Sequence, residues 1–308
     1  MAYIAFDLDN TLGFFELTNP LAFLWSPDFL ENPEQSAHNI PLELNSKLKA
    51  KLKAARSRFV QHLLNHPEFF DIVIRPNIDI IFSQIIIAKQ AKHVKAIIIY
   101  SNTGVTYSME LAKELIEKKY KYPDLIDLMA DHWHPLRVAD RPRYIPEGRY
   151  VQPEKTIKTL KVLFHEVTGE QAPTPTNKIM FMDDRTPKHK LQEQEAEGLT
   201  YIVPKPFYPE IRLYHKRIIL FLALESLQHS GVLSDKTYLS SGFCDRVITS
   251  KDKQDYVIKG FPSLYKYVWN QIFNVEGFKS PWIPDTITLN AEIARFLEKV
   301  KANRNLAN

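Results

Sequence analysis

Asp7 and Asp9 stand one residue apart behind the apolar run Tyr3-Ile4-Ala5-Phe6, and Asp183 and Asp184 stand together behind a second run, Ile179-Met180-Phe181-Met182. A buried carboxylate without a partner is costly, so two such pairs call for a cation, hydrogen-bond donors or open water. Taken alone, Asp7-Leu8-Asp9-Asn10 also suits a surface turn, because Asp-Asn is turn chemistry. The rest of the chain weighs against that reading. Ser101-Asn102-Thr103-Gly104 follows a third apolar run, Ala96 to Tyr100, and offers a hydroxyl, an amide and backbone N–H groups at a helix start. Such a turn is a ready phosphate site. Lys155 opens a helical pattern in QPEKTIKTL. In this order, each at a strand end or helix start, the four carboxylates are expected to converge on a cation. Oxygen-only ligands suit Mg²⁺ better than zinc.

The elements that must position these residues can be read from the hydrophobic pattern. Four short apolar runs, at 3–6, 96–100, 178–182 and 201–203, are near-continuous rather than alternating. Between them lie helical patterns, with Leu111, Leu115 and Ile116 in 105–119 and Ile157, Leu160, Leu163 and Phe164 in 154–167. Continuous apolar strands alternating with amphipathic helices predict an α/β, Rossmann-like, doubly wound parallel sheet covered on both faces. In such sheets the reactive groups lie beyond the carboxyl ends of the strands, where the odd polar residues fall.

Three segments break the alternation. Residues 14–75 are too long for a loop and carry a helix near 45–65, with Leu48, Leu52, Ala55, Phe59 and Leu63 on one face. This predicts a helical cap insertion over the carboxyl edge of the sheet. Residues 130–153 are rich in Pro and Arg and read as a long functional loop. From 208 onward a helix near 210–228, an aromatic-rich region and a final amphipathic helix near 288–302 form a mostly helical C-terminal extension, docked on the core or on a protein partner. The expected division is a core of 1–13 and 76–207, a cap of 14–75 and an extension of 208–308.

With 308 residues, 44% of them hydrophobic and 25% charged, the chain belongs with globular proteins and can bury a large core. Net charge +4 permits a polyanionic partner without implying one. One cysteine, Cys244, excludes an intramolecular disulfide framework and favours a reducing compartment. No run is long enough to span a bilayer, the longest being the seven residues 218–224. No G-x-G-x-x-G or G-x-x-x-x-G-K occurs, so dinucleotide and P-loop readings lose their main support.

Over residues 1–207 the chain resembles the haloacid dehalogenase (HAD) superfamily of phosphohydrolases, whose motifs run D-x-D-x-T, Ser/Thr, Lys and an acidic pair. Asp7-Leu8-Asp9-Asn10-Thr11 matches the first motif, Ser101 the second, Lys155 the third and Asp183-Asp184 the fourth. For the third, Lys158 is the other lysine at hand, and Lys155 is preferred as nearer the helix start. More narrowly, IRPNIDIIF, IIIYSNTG, PEKTIKTL, IMFMDDRTPKH and YIVPKPF resemble the phosphatase-like proteins of large nucleocytoplasmic DNA viruses, distant relatives of the RNA polymerase C-terminal-domain phosphatases.

The resemblance implies a phosphoric monoester hydrolase. Asp7 would be the nucleophile, Asp9 the proton shuttle and Thr11 the residue that positions Asp9. Ser101, Asn102 and Lys155 would bind the phosphate, and Asp7, Asp9, Asp183 and Asp184 would surround Mg²⁺. An aspartate at position 9 favours phosphoryl chemistry over dehalogenation, which has no leaving oxygen to protonate. The expected substrate is a phosphoprotein or a nucleic-acid phosphate, in a host cytoplasm or a virion and without a membrane. The competing reading is a non-catalytic structural or interaction protein that keeps the fold, for instance a virion component.

Other clusters are weighed against plainer roles. Asp131, His132 and His134 in DHWH are ligand-type residues, yet histidines in one short loop are more often packed or exposed than metal-bound. Lys47, Lys49, Lys51, Lys53, Arg56 and Arg58 spread around one helix and read as a solvated face able to attract a phosphorylated polymer. Arg137, Arg141 and Arg143 are candidates for substrate binding. Tyr265, Tyr267, Trp269 and Phe273 read as core aromatics, since they lack dense basic company.

Overall fold

The computed structural model describes residues 1–21, 46–76, 78–103, 106–132, 134–138, 155–169, 178–184, 198–235, 272–273, 275 and 285–305. Cys244, Arg141, Arg143, Tyr265, Tyr267 and Trp269 lie outside them, as does most of 130–153. The chain divides into two units. The first comprises Met1–Phe14, Ile74–Tyr208 and Trp282–Asn308, and the second Phe15–Val73 and Pro209–Pro281. The C-terminal helix thus groups with the sheet rather than with the segment before it.

Among its described residues the first unit holds five parallel strands: β1 (Ala2–Phe6), β2 (Val94–Tyr100), β3 (Leu128–Ala130), β4 (Ile179–Met182) and β5 (Thr200–Ile202), in the order β3-β2-β1-β4-β5. This is the α/β doubly wound arrangement that the continuous apolar runs predict. Every residue of β1 and β4 is buried, which suits strands covered on both faces. One face packs Tyr3, Ala5, Ala96, Ile98, Tyr100, Ile179 and Phe181 against Ile157, Leu160, Leu163 and Phe164 of a helix at Ile157–Thr168. The opposite face meets the helix at Ile78–Gln90, where Phe82 lies 5.6 Å from Phe6 between ring centroids. Burying a Phe or Ile side chain fully contributes about 1.5–3 kcal/mol, so these two layers carry the sheet.

Among the described residues the α-helices are, in chain order, α1 (Ser46–Asn65), α2 (Pro67–Val73), α3 (Ile78–Gln90), α4 (Thr106–Lys119), α5 (Pro135–Val138), α6 (Ile157–Thr168), α7 (Leu213–His229) and α8 (Thr286–Asn305). α5 falls where a continuous loop was expected from residue 130, and β3, which the sequence reading did not anticipate, ends at the first residue of that stretch. Three strand residues and one helical turn leave too little periodicity to read. Helix α6 is delimited by its caps: the Thr156 hydroxyl accepts from the Thr159 N–H at 3.1 Å, and Gly169 takes the left-handed conformation (φ 66°) at the other end. α8 packs against α3, with Gln84 donating to Asn290 at 2.7 Å.

The second unit pairs α1 with α7. Buried Leu48, Leu52, Ala55, Phe59, Val60 and Leu63 form the inner face of α1, as their spacing predicts. Its basic run is not uniformly solvated. Lys51 pairs with Asp235 at 2.6 Å, and Arg58 with Glu225 at 2.8 Å, where His62 joins at 2.9 Å. No helix among the described residues is long and apolar enough to cross a membrane.

Candidate active site

Strand register brings the polar residues together. Phe6 pairs with Ile99 on one side and Met182 on the other, so the next residues out are Asp7, Tyr100-Ser101 and Asp183. The ladder continues past the strands: Asp7 N donates to Met182 O at 2.8 Å, Ser101 N to Ala130 O at 3.1 Å and Asp183 N to Ile202 O at 3.1 Å. β1 lies where the chain order reverses, with β2 and β3 to one side and β4 and β5 to the other. That switch point opens the crevice in which doubly wound sheets bind ligands.

Asp7, Asp183 and Asp184 each place a carboxylate oxygen within 4.8 Å of the others. Asp7 is 4% exposed, Asp183 1% and Lys155 5%. Lys155 Nζ stands between them, 2.6 Å from Asp7 Oδ1 and 2.7 Å from Asp183 Oδ2. Because Lys155 immediately precedes the Thr156 cap, the start of α6 fixes where its side chain begins. Burial alone would lower the Lys155 pKa, but the Asp7 and Asp183 charges outweigh it and hold the ammonium protonated. Burial, helped by the Asp183 charge, pushes Asp7 up, while Lys155 and a hydrogen bond from Ser101 oppose this. Asp184 rises to about 6, first through burial and then through the charges of Asp7 and Asp183.

Three carboxylates face one ammonium, and burial first, then the charges of neighbouring carboxylates, raises Asp7 and Asp184. Asp7, Asp183 and Asp184 therefore fit a hard divalent cation such as Mg²⁺ in both charge and donor type. Asp9 is half-buried and its carboxylate does not belong to this cluster.

Thr11 is fully buried, and its hydroxyl serves Asp184 rather than Asp9. It donates to Asp184 Oδ1 at 3.1 Å and accepts from the Asp184 N–H at 2.9 Å. Ser101 lies against Asp7, and its Oγ accepts from the Thr103 N–H at 3.3 Å. Asn102 is half-buried beside it. In DHWH, His132 is fully buried and its backbone N–H donates to Thr103 O at 3.0 Å, while Asp131 accepts from the Thr106 hydroxyl. Both residues brace the turn after β2.

One buried arginine, Arg75, escaped the sequence reading of the site, and a second, Arg137, takes another role than the substrate binding expected of it. Arg75, 1% exposed, donates to the carbonyls of Thr11 (2.6 Å), Asn10 (2.7 Å) and Lys205 (2.8 Å) and pairs with Asp285 at 3.3 Å. It locks the loop that carries Asp9, in which Asn10 adopts φ 60°. Burial lowers its pKa to about 10, leaving it charged at neutral pH. Arg137, also 1% exposed, turns inward rather than toward a substrate. The only signal for Arg75 was an arginine ending the apolar stretch Ile72-Val73-Ile74, just before Pro76.

No protein-family model matches the chain, and no curated protein matches it. Among solved structures it is similar to the crystal structure of CbbY from Rhodobacter sphaeroides in complex with phosphate. The likeness covers 67% of this chain and 88% of that one, at 17% identity and a TM-score of 0.33. So remote a likeness carries nothing about chemistry, which rests here on the residues themselves.

Proposed function

We propose that the chain is a Mg²⁺-dependent phosphomonoester hydrolase of the HAD type, working through an aspartyl-phosphate on Asp7 and acting on a phosphoprotein or a nucleic-acid phosphate. The observation that carries the reading is the buried Asp7–Lys155–Asp183 bridge, with Asp184 beside it and the Ser101 hydroxyl on Asp7, at the switch point of the sheet.

Asp7 Oδ attacks phosphorus as the ester oxygen leaves, and the Asp9 carboxyl gives that oxygen its proton. The Ser101 hydroxyl, the Asn102 amide and the Lys155 ammonium supply donors for phosphate oxygens as charge spreads over them. In the second half, Asp9, now a carboxylate, takes a proton from the water that attacks the phosphorus. Inorganic phosphate leaves, Asp7 is a carboxylate again and Asp9 is again protonated. Asp7, Asp183 and Asp184 would hold Mg²⁺, which when bound supplies charge neutralisation and a clamp on one phosphate oxygen. Lys155 opposes the rise that burial gives Asp7 and so favours its ionised form, the one in which it is a nucleophile.

The test is turnover of an aryl phosphate with and without Mg²⁺ by the unaltered protein, Asp7→Asn and Asp9→Asn. Asp7→Asn should abolish both turnover and covalent labelling. Asp9→Asn should lower turnover on the order of 10² to 10⁴-fold, the usual worth of acid–base catalysis, yet still label Asp7 slowly from a reactive ester. An unaltered protein that hydrolyses no phosphate ester in Mg²⁺ while folding normally refutes the reading and leaves a non-catalytic role for the fold.

A further inference from the structure

We propose that Arg137 is a positioning residue for the phosphate-binding turn, acting through Asn102; the inference rests on the phosphohydrolase reading above. Arg137 Nη1 donates to the carbonyl oxygens of Ser101 and of Asp131, the latter at 2.8 Å, and Nη2 donates to Asn102 Oδ1. The guanidinium also lies over the Tyr100 ring, 4.6 Å from its centroid. One side chain thus ties the last residue of β2, the two residues after it and the residue after β3 into a single rigid corner.

Arginine carries donors and no acceptor, so the Asn102 atom facing it must be the amide oxygen. The opposite end of that amide is then NH₂, a donor pair set for an anionic oxygen. Without Arg137 the amide could turn either way, and in one orientation it would present its oxygen to the phosphate. Arg137 does not itself meet substrate, because it is 1% exposed and its Nη1 and Nη2 serve protein oxygens. Tyr100 extends the corner toward the carboxylate cluster, since its phenol oxygen accepts from the Thr156 N–H at 3.3 Å, next to Lys155. A lysine at 137 keeps the charge but cannot span the Ser101 and Asp131 carbonyls and the Asn102 amide at once.

The experiment measures kcat and KM for an aryl phosphate, and inhibition by inorganic phosphate, for the unaltered protein, Arg137→Lys, Asn102→Ala and the double variant, with melting curves for each. Arg137→Lys and Asn102→Ala should each raise KM and the phosphate inhibition constant about tenfold to a hundredfold, the worth of a hydrogen bond to a charged group. The double variant should be no worse than the worse single, because both act through one amide. Asn102→Asp keeps an oxygen for Arg137 but loses the NH₂, so it should fold with unchanged stability and show the full loss in phosphate affinity. It carries the test if Arg137→Lys does not fold. Multiplying effects in the double variant, a lowered melting temperature with unchanged KM in Arg137→Lys, or normal phosphate affinity in Asn102→Asp would each overturn the role of Arg137. In those cases turnover by the unaltered protein keeps the hydrolase reading; no turnover by the unaltered protein removes both.

Discussion

Lys155→Met should show how heavily the cluster leans on one ammonium. In Coulomb terms, contacts of 2.6 and 2.7 Å at an effective dielectric constant of about 20 are each worth about 6 kcal/mol before desolvation is subtracted. Removing one partner of a buried pair costs about 3–5 kcal/mol net, because the remaining charge is stranded. Protonation sets a ceiling. Giving a proton to an aspartate of ordinary pKa 3.8 costs about 5 kcal/mol at about pH 7.5 and only about 1.6 kcal/mol at about pH 5. The variant should therefore lose about 3–5 kcal/mol near pH 7.5 and about 1–2 near pH 5. The sign follows from Asp7: without Lys155, which holds its pKa down against burial, its folded pKa rises further, so its contribution is kept at low pH and lost as pH increases. Native-state hydrogen exchange at the amides of β1 and β4 reads the opening free energy of the sheet, and about 10 mM Mg²⁺ should restore part of the loss near pH 7.5 and little near pH 5. A loss under about 1 kcal/mol at both pH values, or an equal loss at both, refutes the assignment of Lys155 as the internal counter-charge.

Three further outcomes are expected. Asp184 has its folded pKa raised to about 6, so without divalent cation its contribution is present below about pH 4 and lost as pH rises through about 6, by at most about 3 kcal/mol before screening of a partly exposed group. The thermal shift produced by Mg²⁺ should grow through the same window in melts run at stepped pH. Thr11→Val removes both hydrogen bonds to Asp184, costing about 1–3 kcal/mol in urea unfolding and moving the Asp184 titration, followed by carboxyl carbon NMR, above that of the unaltered protein. Arg75→Met strips the carbonyls of Asn10, Thr11 and Lys205 of their donor and leaves Asp285 without it, for a loss of about 3–5 kcal/mol by the same measurement, whereas Asp285→Asn should cost under about 2.

The strands and long helices were legible because burial on both faces writes a continuous apolar run and burial on one face writes a 3.6-residue period. Ala2–Phe6, Val94–Tyr100 and Ile179–Met182 carry the first signature, and α1 and α6 the second. β3 is three residues long and partly exposed, so it writes neither. α3 has buried residues along most of its length, which blurs its period. In the site, residue order placed Asp7, Ser101, Lys155, Asp183 and Asp184 at element ends; strand register aligns Asp7, Ser101 and Asp183, and Lys155 reaches them from the start of α6. What order could not say is which donor meets which acceptor. Thr11 lies in the same loop as Asp9 but bonds to Asp184, 173 residues away, and a partner at that distance leaves no local trace. Arg75, and the inward role of Arg137 in place of the substrate contact expected of it, were hidden for a related reason: a lone arginine looks the same in sequence whether it faces water or a ring of carbonyls.

Division of the chain into interleaved pieces has a consequence for synthesis and for cutting. The sheet unit is assembled from 1–14, 74–208 and 282–308, so its central strand is made before its other pieces and its C-terminal helix after them, with 73 further residues of the other unit made between Tyr208 and Trp282. Until Asp285 emerges, Arg75 lacks its carboxylate and the Lys205 N–H its acceptor at 2.6 Å, and α3 stands without α8. Conversely, a single cleavage within 209–281 would separate α8 from the rest covalently but leave those contacts in place. The two fragments should then co-purify and part only in denaturant, behaving as a split protein whose smaller half is recaptured through the arginine that holds the Asp9 loop.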